Sequence, residues 1–238
     1  MKNFYLALCV VLLFVVSTSC EKVVGKGPVV TETRQTASFE GLEVEIPADI
    51  YFTEAPDAKI ELHAQQNILD EIETPIINNT LQIRFRHSNT RIKSNDGISI
   101  YVSGPNVRSL TVDGDGYLQV PAPFTPSDLH LEVNGSGSIR ANNVTTSRLN
   151  ASIDGSGSIN VNSGNANATN LNIRGSGLLD VSGAMAKDGI ANIKGSGNIR
   201  LFATATLDAR ITGSGTISYK GSPAVTTHVT GSGTVIHF

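Results

Sequence analysis

The residues best suited to chemistry stand directly before a repeated glycine corner. In seven successive repeats that position holds Asp113, Asn134, Asp154, Arg174, Lys194, Thr212 and Thr230. Cleavage of a polysaccharide needs two carboxyl groups on opposite sides of one sugar bond. Asp113 and Asp154 stand two repeats apart, about 10 Å at normal strand spacing, which is too wide for a retaining enzyme and slightly too wide for an inverting one. The row favours a solvated face with an Asp154–Arg174 ion pair, and a polysaccharide-active β-helix enzyme remains the alternative.

A second row consists of serines inside the corners: Ser136, Ser156, Ser176, Ser196, Ser214 and Ser232. A serine hydroxyl becomes a nucleophile only beside a general base, and no histidine or acid recurs at a matching spacing. The serines therefore suit a tight exposed bend. As a flat row of hydroxyls they are also a candidate surface for binding a glycan or another cell surface.

The sequence predicts no metal, cofactor or nucleic acid. Asp113-Gly114-Asp115-Gly116 resembles one turn of a calcium-binding repeat, but that repeat needs an Asp in every turn, and serine replaces Asp115 in all later copies. The glycine-rich corners lack the Lys-Ser/Thr ending of a phosphate-binding loop. A net charge of −3 offers no basic footprint for nucleic acid. The five histidines show no ligand spacing: His63, His87, His130, His228 and His237.

These side chains are positioned by a recurring tripeptide, Gly-Ser-Gly. Its first glycine recurs every 18 to 21 residues, counting the variant Gly-Asp-Gly, at Gly114, Gly135, Gly155, Gly175, Gly195, Gly213 and Gly231. A fixed period of about twenty residues indicates stacked structural repeats. Aliphatic residues alternate with period two on both sides of each corner, as at Leu171/Ile173 and Leu179/Val181, and this is the strand pattern.

The alternation predicts an all-β, single-stranded parallel β-solenoid with coils of about 20 residues over residues 106–238. Stacking would bury a ladder of aliphatic side chains that no single repeat could bury alone. Counting in twos from the inward residues reaches both glycines and never the serine. We therefore expect both glycines where the inward side of the corner has no room for a Cβ atom, and glycine also tolerates φ values that other residues avoid.

Residues 39–105 lack the tripeptide but keep the strand pattern, and we predict divergent coils that cap the N-terminal end. Asn67 to Glu73 is predicted as a short helix with Asn67 as its N-cap. At the other end, the chain stops one strand after the last corner. The last coil is expected to be open, and self-association through it is an alternative role, because unpaired strand edges invite pairing.

Residues 1–19 have the features of a signal peptide: a basic start, an apolar stretch and small residues before Cys20. A cysteine at this point resembles the lipobox of bacterial lipoproteins, which predicts lipid attachment at Cys20 and anchoring in the outer membrane. Ser17 departs from the lipobox pattern, where an apolar residue is usual, so ordinary cleavage after Ser19 is the alternative. Residues 20–38 are interpreted as a tether that runs into a first strand.

The mature chain resembles the head-GIN-domain family of auto-transporter adhesins over about residues 30–238. The resemblance is carried by Phe39–Val44, Asn79–Ile83, Ile98–Val102 and the Val-x-Gly-Ser-Gly-x-Ile corners. It implies a parallel β-solenoid and an exported location, and it supplies no catalytic motif. We expect a non-catalytic cell-envelope lipoprotein whose repetitive polar face adheres to a glycan or surface.

Overall fold

The computed structural model describes residues 22–94 and 96–238. The predicted signal peptide and Cys20 lie outside the described residues. The described part of the chain is nearly all β, with 71% of those residues in strands and 2% in helix, so strand pairing sets the position of the candidate side chains within it. No helix in the described part of the chain is both long enough and apolar enough to cross a membrane.

The described residues of the N-terminal part, 22–94 and 96–105, contain ten strands and one helix. In chain order they are β1 (Lys22–Val24), β2 (Val29–Gln35), β3 (Gly41–Val44), β4 (Asp49–Glu54), β5 (Lys59–Gln65), α1 (Gln66–Leu69), β6 (Ile72–Glu73), β7 (Ile76–Ile77), β8 (Thr80–Phe85), β9 (Arg91–Lys93) and β10 (Ser99–Gly104).

The repeat region contains eleven strands. They are β11 (Ser109–Gly114), β12 (Tyr117–Phe124), β13 (Asp128–Gly135), β14 (Ser138–Gly155), β15 (Ser158–Val161), β16 (Gly164–Gly175), β17 (Leu178–Gly195), β18 (Asn198–Gly213), β19 (Thr216–Lys220), β20 (Ala224–Gly231) and β21 (Thr234–His237).

Parallel pairing stacks these strands into a solenoid of about six turns, which confirms the predicted fold. The segments before the corners form one sheet in the order β8, β3, β11, β13, β14, β16, β17, β18 and β20. The segments after the corners form a second sheet, in the order β10, β4, β12, β14, β15, β17, β18, β19 and β21. Strands β14, β16, β17 and β18 also pair along a third side.

The core is the continuous apolar ladder that the period-two pattern predicts. Val133, Ile153, Ile173, Ile193 and Ile211 follow one another in register along the first sheet. Each of these side chains is at most 1% exposed. Burying one aliphatic side chain stabilises the fold by about 1.5–3 kcal/mol relative to exposure. A single coil could not exclude water from both of its open sides, so the stack is the unit of stability.

The two glycines of a corner are needed for different reasons. Inward crowding explains the second glycine but not the first, whereas the other predicted reason, a φ that other residues avoid, holds for the first. At the second glycine, Gly137, a Cβ atom would lie 2.6 Å from Val112 Cγ1 and 2.6 Å from the Gly116 oxygen. At the first, Gly135, the Cβ atom would lie 2.6 Å from the Gly114 carbonyl oxygen, in the backbone of the next coil. Gly135 also has a φ of +119°, which residues with a Cβ atom avoid.

The N-terminal end is covered, and its coils do not stack in chain order. Strands β8 and β10 lie outside β3 and β4, whose other neighbours are β11 and β12. Strand β5 pairs antiparallel with β10, and β2 pairs antiparallel with β5. Strand β1, predicted as part of a tether, pairs with β9. The antiparallel strands β5 and β2 continue the main sheet beyond the outermost coil, whereas β1 and β9 form a separate parallel sheet of two strands.

The short helix differs from its prediction. It spans only Gln66–Leu69, and Gln65 is its N-cap without a side-chain hydrogen bond. The side chain of Asn67 donates to the Val24 carbonyl at 2.9 Å and accepts from the Lys26 amide at 2.9 Å. Pairing of Ile72 with Phe85 in β6 and β8 ends the helix early. The Asn67 side chain therefore ties β1 to the cap instead of capping the helix.

The C-terminal coil leaves inward residues in solvent. Val225 and Val229 are in register with the buried Leu207 and Ile211, yet they are 36% and 43% exposed. Every residue of β20 is exposed, so nothing in the described ranges covers this edge. Beside it, the rings of Tyr219 and His237 pack at 5.2 Å, which closes only part of the end.

Candidate functional site

The seven residues that precede the corners form one continuous row on the outside of the first sheet. Parallel pairing places each beside the next in register, and we call this line the corner row: Asp113, Asn134, Asp154, Arg174, Lys194, Thr212 and Thr230. The structure therefore brings together all of the side chains that the repeat pattern aligned.

A parallel row two residues earlier was missed from the sequence. We call it the second row: Thr111, Glu132, Ser152, Asn172, Asn192, Arg210 and His228. The same register that produced the corner row would have found it, because alternate residues of a strand share a face. Together the two rows change from acidic near the cap to basic near the open end.

In the acidic half, the carboxyl groups of Glu43 and Asp113 contact each other, which the sequence did not predict. Asn134 Nδ2 donates to Asp113 Oδ1 at 2.8 Å, and Gln82 Nε2 donates to Glu43 Oε2 at 2.8 Å. Burial raises the pKa of Glu43, and the neighbouring Asp113 and Glu45 raise it further, against the lowering effect of Gln82. Glu43 escaped notice because it lies in the divergent coil, outside the repeat.

The predicted ion pair between Asp154 and Arg174 is wrong. The two residues are adjacent in register and both are exposed. In the described ranges, no salt bridge within 4.0 Å joins them. An exposed pair gains little over solvation of the separate charges, since water already screens both. The Arg174 guanidinium is therefore left without an acidic partner.

The basic half forms a groove of about 350 Å³ between the two rows. Its lining includes Arg174, Lys194 and Arg210, together with the amides of Asn172 and Asn192. Asn192 Nδ2 donates to Asn172 Oδ1 at 3.0 Å, so the two amides form a short ladder. Arg210 contacts Asp208 Oδ2 at 2.6 Å. The other two cations have no ion pair in the part of the chain that is described.

The corner serines are all exposed, as the alternation predicted. Their backbone amides hold the corners together: the Ser136 N–H, for example, donates to the Gly114 carbonyl at 2.9 Å. Their hydroxyls line up along the stack, and Ser196 Oγ lies 3.0 Å from Ser214 Oγ. Among the described residues no base contacts a serine hydroxyl of this row, and a serine nucleophile is activated by such a base.

An aromatic contact on the second sheet also escaped the sequence analysis. The rings of Tyr51 and Tyr101 stack at 5.0 Å with an interplanar angle of 16°, and Lys59 and Glu61 stand beside them. Rings stacked along a ladder cover each other's faces and expose mainly their edges. A sugar packs best on a free ring face, so this pair is a weaker candidate than the groove.

The described residues contain no group of three or more His, Cys, Asp or Glu side chains that could hold a metal ion. Cys20, the predicted lipid attachment residue, lies outside them. The features of the molecule define a parallel β-solenoid with a polar, charge-graded outer face.

The chain belongs to the head GIN domain family: residues 38–223 match the family model described as "Putative auto-transporter adhesin, head GIN domain". No curated protein matches the sequence.

Solved structures share the fold. A putative adhesin from Bacteroides fragilis is 23% identical, with a TM-score of 0.86, and the match covers 91% of this chain and 100% of that one. A putative lipid binding protein from Parabacteroides distasonis is 23% identical with a TM-score of 0.78, covering 92% and 100%. A putative adhesin from Parabacteroides merdae is 22% identical with a TM-score of 0.74, covering 92% and 99%. At these identities the likeness is one of fold.

Proposed function

We propose that this protein is an exported, non-catalytic adhesin that binds a glycan or another cell surface through the outer face of its first sheet. The observation that supports this function is the register of the corner row and the second row. Two lines of amide, hydroxyl and charged groups repeat at the strand spacing of about 4.8 Å on a rigid support. A repeating ligand could contact equivalent groups on successive coils, and many weak contacts would add.

The corner serines extend this face at the edge of the sheet. Their hydroxyls both donate and accept hydrogen bonds, as sugar hydroxyls do. Ser176 and Ser196 lie two residues after Arg174 and Lys194 along the chain. We include the serine row in the proposed binding surface for this reason, and no cofactor is needed for such binding.

The test is binding of the purified mature chain, from Cys20 onward, to an array of bacterial and host polysaccharides. We expect retention on at least one polymer and loss of that retention when Asn172 and Asn192 are both changed to Ala. Changing the exposed Asn198 to Ala is the matched control, because it lies on the second sheet. An array without any retained polymer would rule out a glycan as the ligand.

We further propose that the protein is held in the outer membrane by a lipid on Cys20. The described chain begins two residues later, at the start of β1 beside the cap, so an anchor at Cys20 would leave the capped end nearest the membrane. Metabolic labelling with a tagged fatty acid should mark the wild type and not Cys20→Ala. Protease added to intact cells would distinguish surface display from a periplasmic location.

The enzymatic alternative meets an obstacle in the acidic half. Asp113 accepts a hydrogen bond from Asn134 in the gap between the coils of Asp113 and Asp154. A glycosidase needs that gap for its sugar and water. We expect no turnover of polysaccharides that the protein binds. Turnover that is lost in Asp154→Asn would replace the adhesin proposal with the enzyme.

A second candidate function is assembly through the C-terminal coil, favoured by the exposure of Val225 and Val229 on inward rows. Apolar side chains beside an uncovered strand edge favour association. Sedimentation over a range of concentrations should show an oligomer that Val229→Asp disrupts. A monomer at every concentration would remove this candidate.

A further inference from the structure

We propose that the basic groove, lined by Arg174, Lys194, Arg210, Asn172 and Asn192, binds the carboxylate groups of an acidic polysaccharide. This inference deepens the proposed adhesin function and rests on it. It names the class of ligand, a polymer of uronic or similar acidic sugars, and it confines binding to the half of the face nearest the open end.

The cations of the groove are arranged at a cost to the fold. Arg174 and Lys194 stand directly opposite each other on adjacent strands, and like charges in that arrangement destabilise a sheet. Neither has an acidic partner within 4.0 Å in the described ranges. Departures from local stability are expected where a binding site requires them. An anion between the two cations would relieve the repulsion, and a carboxylate can accept hydrogen bonds from both.

The neutral groups beside the cations suit a sugar. Asn192 Nδ2 donates a hydrogen bond to Asn172 Oδ1, and Asn172 Nδ2 donates one to Asn170 Oδ1 at 3.2 Å. The Asn192 oxygen and the second hydrogen of each amide group remain available to sugar hydroxyls. Thr212 adds a hydroxyl at the end of the groove. A site for a free inorganic anion would need only the charges.

The shape suits a polymer better than a small molecule. The groove of about 350 Å³ adjoins a second depression of about 240 Å³, lined in part by Asn150, Asn170 and Ile190 and by the oppositely charged Arg148 and Asp188. The Asn172–Asn170 hydrogen bond marks the boundary between them. Ile190 is 44% exposed and offers an apolar surface to a sugar ring. Both depressions are open, so a chain could enter and leave along the face.

The other half of the same face opposes an acidic ligand. In the coils nearer the cap, the corner row and the second row carry Asp113, Glu132 and Asp154. Carboxylates there would repel a polyanion, whereas the basic half attracts it. The sign change between Asp154 and Arg174 therefore sets one edge of the binding region.

The test is a calorimetric titration of the mature chain with polygalacturonate, which measures the affinity of the protein for the polymer. A double variant, Arg174→Gln with Lys194→Gln, removes two charges from the groove. A matched double variant, Lys26→Gln with Arg140→Gln, removes two charges from exposed positions outside both depressions. We expect the groove variant to bind at least about tenfold more weakly, since charge-assisted bonds are lost. The matched variant should stay within about twofold of the wild type, because distant surface charges are screened.

Further arms identify the source of the anion. Fully methyl-esterified polygalacturonate, inorganic phosphate and phosphatidylglycerol vesicles should each bind far more weakly than the acid polymer. Equal binding of the ester, equal losses in the two double variants, or preference for phosphate or vesicles would overturn the inference. Binding of neutral glycans that survives in the groove variant would overturn it while leaving adhesion intact. Failure with every glycan would remove both proposals. Circular dichroism confirms that each variant is folded.

Discussion

The first glycine of a corner makes a sharp test of the stacking geometry, because the chain contains its own control. Gly114 and Gly135 both have positive φ, +101° and +119°. A Cβ atom on Gly114 would meet nothing within 4 Å, whereas one on Gly135 would lie 2.6 Å from the Gly114 carbonyl oxygen. Gly114→Ala therefore introduces only backbone strain, and Gly135→Ala introduces strain together with a clash between coils.

The magnitudes follow from those two terms. Backbone strain at positive φ costs about 1–2 kcal/mol for a residue with a Cβ atom. Forcing an extra carbon into a close-packed position adds about 1–3 kcal/mol. We expect Gly114→Ala to lose about 1–2 kcal/mol and Gly135→Ala about 2–5 kcal/mol. For a chain of this size, each 1 kcal/mol lowers Tm by about 2–4 °C.

The assay is guanidinium unfolding followed by far-ultraviolet circular dichroism, with calorimetry for Tm. Ser136→Ala is the neighbouring control, and as an exposed substitution it should change stability by less than about 0.5 kcal/mol. Equal losses in Gly114→Ala and Gly135→Ala would refute the argument. They would mean that crowding between coils adds nothing to the requirement for glycine.

Three further predictions concern charge and packing. Glu43→Gln should raise Tm near pH 7. The pKa of Glu43 is raised in the folded state, so the folded protein loses stability as the pH rises through that pKa and the Glu43 carboxyl ionises. The gain in Tm should vanish below about pH 4, where Glu43 is protonated in the folded and the unfolded protein. Ile153→Ala should lower the free energy of unfolding by about 2–5 kcal/mol through its cavity, measured in guanidinium against Ser152→Ala. Arg148→Ala should raise the pKa of Asp128 towards its ordinary value in an NMR titration, since the Arg148 hydrogen bond lowers it. A stabilising effect of Glu43→Gln that persists at low pH, a cost of Ile153→Ala no larger than its control, or an unmoved Asp128 pKa would contradict the respective argument.

The repeat region was predictable from local pattern because each coil sees the same surroundings. A side chain such as Ile173 has a copy of itself about twenty residues away on either side, so one period-two pattern specifies every rung. The cap lacks that redundancy. Whether β5 pairs antiparallel or parallel, and which coil lies outermost, depends on contacts between unlike segments, which no repeat encodes.

The candidate site shows the same division. The corner row could be predicted because register follows from the period, and the second row follows by the same argument. The absence of the Asp154–Arg174 ion pair could not be predicted, because exposed side chains populate several rotamers of similar energy. The contact of Glu43 with Asp113 depends on a divergent coil placed beside the repeat. The sequence does not predict the groove, because its shape depends on the side-chain conformations of both rows in the folded structure.

The placement of β3 and β4 between later strands has a consequence for biogenesis. The first rung to be synthesised is an interior one, with β8 and β10 on one flank and β11 and β12 on the other. Strands therefore have to be added on both sides of β3 and β4, whose two edges are unpaired until the later strands are synthesised. A chaperone that shields those edges would act on residues 41–54 before any Gly-Ser-Gly corner has been synthesised.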